Sequence, residues 1–284
     1  MRVTPATAVS RLREREKGEN FPVALAVLPA RHRDALHAVY AFARTVDDTG
    51  DVADGDRVAL LHDLGERVTG TWAGHRVEDP VFTELRRTVV GRVPERYFHD
   101  LIRANLQDQH VHRYPTYGDL LAYCRLSADP VGRIVLAVFD QHTEPRLRLS
   151  DRICTALQLL EHWQDVGEDR RAGRTYLPAD DLVRFGVAET DLDAAHASPA
   201  LARLMRFQIE RAALTLVEGT PLVGHLRGWA RPCVAGFVAG GEATVAALRR
   251  TGGDVLGRPS SPSRARTVTG LVRLLAARPG RRAA

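Results

Sequence analysis

The sequence predicts an all-α protein on three observations. Apolar residues recur at three-to-four-residue spacing through most of the 284 positions, the pattern of one helical face. Alternating runs that would mark half-buried strands are hard to find. The length and a 44% apolar content suffice for one sizeable core without a disulfide or structural metal.

Leu28-Pro29 sets a helix start, and Ala35, Leu36, Val39, Tyr40, Ala43 and Val46 follow one face into the acidic run Asp47-Asp48-Thr49-Gly50-Asp51. Further helices are expected over 56–68, 80–90 and 94–106. Arg113-Tyr114-Pro115-Thr116 reads as a turn, because proline disfavours helix in the residue before it. Helices over 117–127 and 131–139 follow, separated by Asp129-Pro130. A long helix over 150–168 carries Ile153, Leu157, Leu160 and Trp163 on one face and brings Asp165 and Asp169 to its end. A loop over 170–178, with Gly173 and Pro178, leads to two long helices over 198–218 and 222–250. With no repeat, linker or composition shift before about residue 255, the chain reads as one domain, 1–256, and a basic tail, 257–284.

The formal charge of +5 is unevenly placed: the residues after 254 hold seven arginines and no acid, so the body is slightly acidic. That gives little support to a nucleic-acid partner. The apolar runs fall far short of the roughly 20 residues that span a bilayer, and the N-terminus has no apolar h-region. The expected location is therefore cytoplasmic. Three scattered cysteines, Cys124, Cys154 and Cys233, argue for a reducing compartment and against a disulfide framework or zinc site. In the tail, Val268, Leu271, Val272 and Leu275 form an apolar stripe beside Arg264, Arg266 and Arg273. Two readings stand: a helix resting on the inner face of an anionic membrane, or a helix packed on the core.

Asp47 and Asp51, like Asp165 and Asp169, are spaced by four and share a helical face. Like charges so placed cost a helix a few tenths of a kcal/mol. Solvated surface acids are the plainer reading. Two such pairs, each ending an apolar helix, also suit a shared cavity in which cations separate the carboxylates, and Mg2+ is the hard ion that bridges carboxylates to phosphates. Arg44 precedes the first pair; Arg170, Arg171, Arg174 and Tyr176 follow the second. Guanidinium groups suit diphosphate oxygens, and equally suit salt bridges.

Several longer runs carry a family resemblance. Lys17-Gly18-Glu19-Asn20-Phe21-Pro22, Ala38-Val39-Tyr40-Ala41-Phe42-Ala43-Arg44 with Asp47-Asp48 and Asp51, Arg113-Tyr114-Pro115-Thr116, Tyr123-Cys124 with Val131-Gly132, and Gln164-Asp165-Val166-Gly167-Glu168-Asp169 with Gly173-Arg174 and Leu177-Pro178 occur in order. Together they resemble squalene/phytoene synthases from about residue 17 to 256. The resemblance implies an all-α, single-domain isoprenoid-synthase fold with helices around a central active-site cavity. It also implies Mg2+ as cofactor, a prenyl diphosphate as substrate and other pathway enzymes as partners. Carried over, Asp47, Asp51, Asp165 and Asp169 become metal ligands. Arg44, Arg174 and Tyr176 contact diphosphate, Phe21, Tyr40 and Gln158 line the cavity, and Tyr123 and Val131 flank the prenyl chain. Glu161 stands where most relatives carry an asparagine ligand, and Gly50 where a larger apolar residue is usual, which is expected to loosen the helix end.

The runs Gly18-Glu19-Asn20-Phe21-Pro22 and His162-Trp163-Gln164-Asp165 resemble the hopanoid-pathway branch, in which presqualene diphosphate becomes hydroxysqualene with release of diphosphate. The alternatives are head-to-head condensation of two prenyl diphosphates and a non-catalytic scaffold of the same fold. No Gly-x-Gly-x-x-Gly opens a βαβ unit, which disfavours a nicotinamide-reduced product.

Overall fold

The computed structural model describes residues 28–258 and 260–277; Phe21, the run 17–22 and Arg278, Arg281 and Arg282 lie outside the described residues. Among the described residues the regular structure is helical, apart from one isolated β-bridge between Arg113 and Thr175. The chain forms two compact units, one from residues up to Gln109 plus Arg133–His142, the other from His110–Gly132 and the residues from Thr143 on.

In the first unit, α1 (Ala30–Asp51) starts directly after Pro29, and α2 (Arg57–Trp72), α3 (Pro80–Thr88) and α4 (Arg96–Asp108) pack against it. Local chemistry sets the starts. The Asp56 carboxylate accepts from the Ala59 N–H at 3.0 Å, and Asp79 accepts from Val81 with Pro80 at the first helical position, satisfying donors that have no intrahelical partner. The core is aromatic. Phe42 meets Phe82 and Phe98 edge-on at 6.0 and 5.1 Å between centroids, and Trp72 lies 4.7 Å from Phe98 while its indole N–H donates to the Val93 carbonyl. These are the tilted geometries that ring quadrupoles favour.

In the second unit, a Thr116/Asp119 capping box opens α5 (Tyr117–Ser127). Next, α6 (Asp129–Val138), whose residues from Arg133 on belong to the first unit, begins with Pro130 in its first turn, where a missing N–H is harmless. The centre consists of α7 (Glu144–Gln164), α10 (Pro199–Gly219) and α12 (Ala230–Arg250), with Trp163 fully buried. Gly241 permits close helix packing: a Cβ there would stand 2.7 Å from Leu157 Cδ2. The three cysteines form no disulfide, and burial pushes each thiol up to about 12.

Three expectations need correction. The helix expected over 150–168 starts earlier, at Glu144, and breaks at Asp165 (φ −101°, ψ 11°), with α8 (Val166–Arg171) beyond. Gly167, two residues on, lowers helix propensity there. The helix expected over 222–250 is divided into α11 (Leu222–His225) and α12, because Leu226 is extended and Gly228 has φ +55°. A further helix, α9 (Ala179–Phe185), follows Pro178 and ends at left-handed Gly186, a glycine stop that the sequence carried unread. In the tail, α13 (Arg264–Ala276) packs on α12 through Gly270 and Leu274, leaving Val268 and Val272 59% and 61% exposed. The expected stripe of Val268, Leu271, Val272 and Leu275 is exposed or half-buried.

A buried polar cluster fastens α9 to α10. Gln208 Nε2 and Arg211 Nη1 both donate to Asp181 Oδ2, at 2.8 and 2.9 Å, and the Arg211 guanidinium lies over the Tyr117 and Phe207 rings. Asp181→Ala leaves those donors without their acceptor. The expected loss is about 3 kcal/mol, measured by urea unfolding; a loss below about 1 kcal/mol would place the cluster among weak surface pairs.

Candidate active site

Tyr40, Arg44, Asp47 and Asp51 run down one face of α1 at steps of three and four. Arg44 Nη2 reaches Asp48 Oδ1 at 3.1 Å, while its Nε is buried without a hydrogen-bond partner. Desolvation raises the Asp47 carboxyl above its ordinary value, opposed by a hydrogen bond from Asn105 and reinforced by the Asp51 charge. Asp47 is nonetheless exposed at the surface, so it is a group crowded by protein rather than one sealed in the core. Gly50 does not loosen the helix end. It is buried within the last turn of α1, and the Asn105 side chain occupies the space its missing Cβ leaves.

In the second unit, Asp165 joins α7 to α8. Its N–H donates to the Glu161 carbonyl at 3.0 Å and its own carbonyl accepts from Asp169 N–H at 2.8 Å. Glu161, Asp165 and Asp169 therefore step one turn apart despite the break. Gly173, at φ +83°, reverses the chain, and the Arg174 N–H returns to the Asp169 carbonyl at 2.8 Å. Desolvation first, then the Asp169 and Glu168 charges, push Asp165 up to about 6. Asp169 Oδ2 is buried and accepts no hydrogen bond; His162 Nδ1 stands 3.9 Å away.

His162 is buried and stacks on Tyr176, with centroids 3.7 Å apart and planes 14° from parallel. Tyr114 and Tyr123 each lie 5.8 Å from Tyr176, and Gln158 reaches His162 Nε2 at 3.3 Å. Burial pushes His162 below its usual value, against the opposing pull of Asp169, and so keeps the ring neutral at pH 7. Tyr123, Gln158, Tyr176 and Asp169 thus meet around a histidine. Val131 is half-buried in the first turn of α6, and Glu161 is exposed.

The arginines near the second pair divide. Arg170 grips both Asp193 oxygens at 2.7 and 3.0 Å and Glu189 at 3.1 Å, and Arg113 holds Glu189 at 2.6 Å. Of the two readings offered for these arginines, the salt bridge holds for Arg170. His162, Tyr114 and Asn105 are the site neighbours that sequence reasoning missed. His162 lies within a quoted run, but its stack on Tyr176 depends on the Gly173 reversal; Asn105 belongs to no motif.

These residues fit a hard divalent cation. The donors are carboxylate oxygens, partly desolvated and set beside like charge, and one buried oxygen lacks a partner. Among the described residues, no three His, Cys, Asp or Glu side chains group closely enough to hold a metal by themselves. That suits an ion bound through one or two carboxylates, waters and ligand phosphates rather than in an all-protein cage.

Comparison with known proteins agrees. The squalene/phytoene synthase family model matches residues 14–268. The chain is 37% identical over 229 residues to the hydroxysqualene synthase of Rhodopseudomonas palustris, covering 78% of this chain and 77% of that one. It is 31% identical over 204 residues to the presqualene diphosphate synthase of the same organism, covering 69% and 71%. The crystal structure of squalene synthase HpnC from Alicyclobacillus acidocaldarius matches with a TM-score of 0.79 and 38% identity over 86% of this chain and 94% of that one. A family match over most of the length, with helices and carboxylate pairs in the expected order, has one meaning: the chain belongs to the squalene/phytoene synthase family.

Proposed function

We propose that this protein converts presqualene diphosphate to hydroxysqualene. The carbon–oxygen bond to diphosphate breaks, a water oxygen bonds to the carbocation left behind, and that water gives up a proton; one water is consumed and one diphosphate released. The paired carboxylates of Asp47 with Asp51 and Asp165 with Asp169 carry the reading, Asp47 and Asp165 being the members that desolvation raises. Higher identity to a hydroxysqualene synthase, 37%, than to a presqualene diphosphate synthase, 31%, supports this reaction over the formation of presqualene diphosphate.

Asp47, Asp51, Asp165 and Asp169, with Glu161 as a further carboxylate, would hold Mg2+, which would supply charge neutralisation to the diphosphate. Arg44 and Arg174 bind its remaining oxygens, and the unpartnered Nε of Arg44 supports that role. Tyr40 and Phe21 line the apolar path, Val131 flanks the prenyl chain, and Gln158 orients His162. Tyr123 and Tyr176 present ring faces that stabilise positive charge. A neutral His162 adds no fixed cation to repel the carbocation, and burial of the cluster excludes bulk water.

Purified protein with Mg2+ and presqualene diphosphate is expected to yield hydroxysqualene, and Asp165→Asn to lose at least 100-fold in rate, the scale of a deleted electrostatic contact. Turnover of farnesyl diphosphate alone to presqualene diphosphate or phytoene would assign head-to-head condensation instead. A wild-type protein inactive on both would assign a scaffold role.

No helix among the described residues is long and apolar enough to cross a membrane. We place the protein in the cytoplasm, at the inner membrane surface, where enzymes making its substrate deliver an apolar molecule. Exposed Val268 and Val272, beside exposed Arg264 and Arg266 on α13, support contact with anionic lipid. The pair Val268→Asp and Val272→Asp is expected to abolish flotation with anionic vesicles at an unchanged melting temperature; unchanged flotation would remove the membrane role.

A further inference from the structure

Gly50 raises a question that the proposed reaction does not answer: why a glycine lies buried between two of the site's aspartates. A Cβ at Gly50 would fall on Asn105 Oδ1, far inside van der Waals contact, with Asn105 Cγ at 3.2 Å. The space is therefore occupied by a side chain from α4. Asn105 Nδ2 donates to Asp47 Oδ1 at 3.3 Å and to the Leu101 carbonyl of its own helix at 3.3 Å. One turn further along α4, Gln109 Nε2 donates to the Gly50 carbonyl at 3.1 Å and to the Asn105 carbonyl at 3.0 Å. Two amides on one face of α4 thus hold the last turn of α1, one by its backbone and one by its carboxylate. The Gly50 carbonyl is among those that a helix end leaves without an intrahelical donor.

We propose that Asn105 is the positioning residue of the Asp47 carboxylate and that Gly50 is the opening through which it reaches Asp47. The inference rests on the metal-binding reading of Asp47. The chemistry of the donor supports it. An amide N–H fixes one carboxylate oxygen without bringing a positive charge, so Asp47 keeps its full negative charge and its second oxygen for a cation. A lysine or arginine in the same place would neutralise what the ion needs. Partners of this kind typically set metal affinity by 10–100-fold. Gly50 and Asn105 act as one device: a side chain at position 50 displaces the amide, and loss of the amide leaves the opening without purpose.

The test is Mn2+ affinity of the full chain with inorganic pyrophosphate, read by electron paramagnetic resonance beside the melting temperature. Asn105→Leu keeps the shape and removes the donor; Gly50→Ala keeps the donor and drives it aside. Each is expected to weaken Mn2+ binding about tenfold, with the melting temperature of Asn105→Leu unchanged. The double variant is expected to lose no more than either single one, because both remove the same hydrogen bond. Asn105→Leu binding Mn2+ within about twofold of wild type, while Asp47→Asn binds weakly, would overturn the positioning role alone. Asp47→Asn binding as wild type would overturn the metal-ligand reading beneath it.

Discussion

Carboxylates set beside one another and drawn out of water are the constraint on which the rest of the site depends. Asp47 is raised by desolvation and by the Asp51 charge, and Asp165 by desolvation and by the charges of Asp169 and Glu168. The basic groups nearby do little to relieve this. Arg44 turns to Asp48, Arg170 is taken by Asp193 and Glu189, and Arg113 holds Glu189 below its usual value. Arg170 and Arg113 are thus paired away from these aspartates, a charge distribution that supports the proposed divalent ion with its diphosphate.

Holding like charges together has an energetic cost that packing must outweigh. Each i,i+4 acidic pair costs a few tenths of a kcal/mol, whereas each fully buried aromatic or leucine side chain contributes roughly 2 kcal/mol. The aspartates stand at the ends of helices with buried apolar interiors. Phe42 anchors α1 against Phe82 and Phe98, and Trp163, two residues before Asp165, is fully buried. Rigid cores next to the acids make the repulsion tolerable and fix where the carboxylates stand. The neutral amides of Asn105 and Gln109 add direction without adding charge.

Helical periodicity located most elements because it records burial, and burial is what the helices share. It was blind to the breaks at Asp165 and Gly228, where apolar spacing continues while one or two backbone angles change. The helix after Pro178 was hidden by a loop reading of the residues before it. The carboxylate pairs were legible from spacing alone; Tyr123, Tyr176 and Gln158 came only with the family resemblance. Asn105 was beyond reach, since its contact with Asp47 spans 58 positions and depends on how α4 lies on α1. Gly50 pointed to the right place for the wrong reason: it reads locally as a weak helix end, and only the facing helix shows that it is filled. On the tail helix, α12 takes Gly270 and Leu274, which lie outside the stripe read from the sequence, and leaves Val268 and Val272 exposed.

The central proposal is that Asp47 of α1 and Asp165 of the α7–α8 junction each contribute to binding of metal and diphosphate. Calorimetric titration of Mg2+ with inorganic pyrophosphate into wild-type protein, Asp47→Asn and Asp165→Asn tests it most directly. The account predicts saturable binding to the wild type and at least a tenfold loss in each variant, about 1.4 kcal/mol. Wild-type affinity in either variant would contradict it.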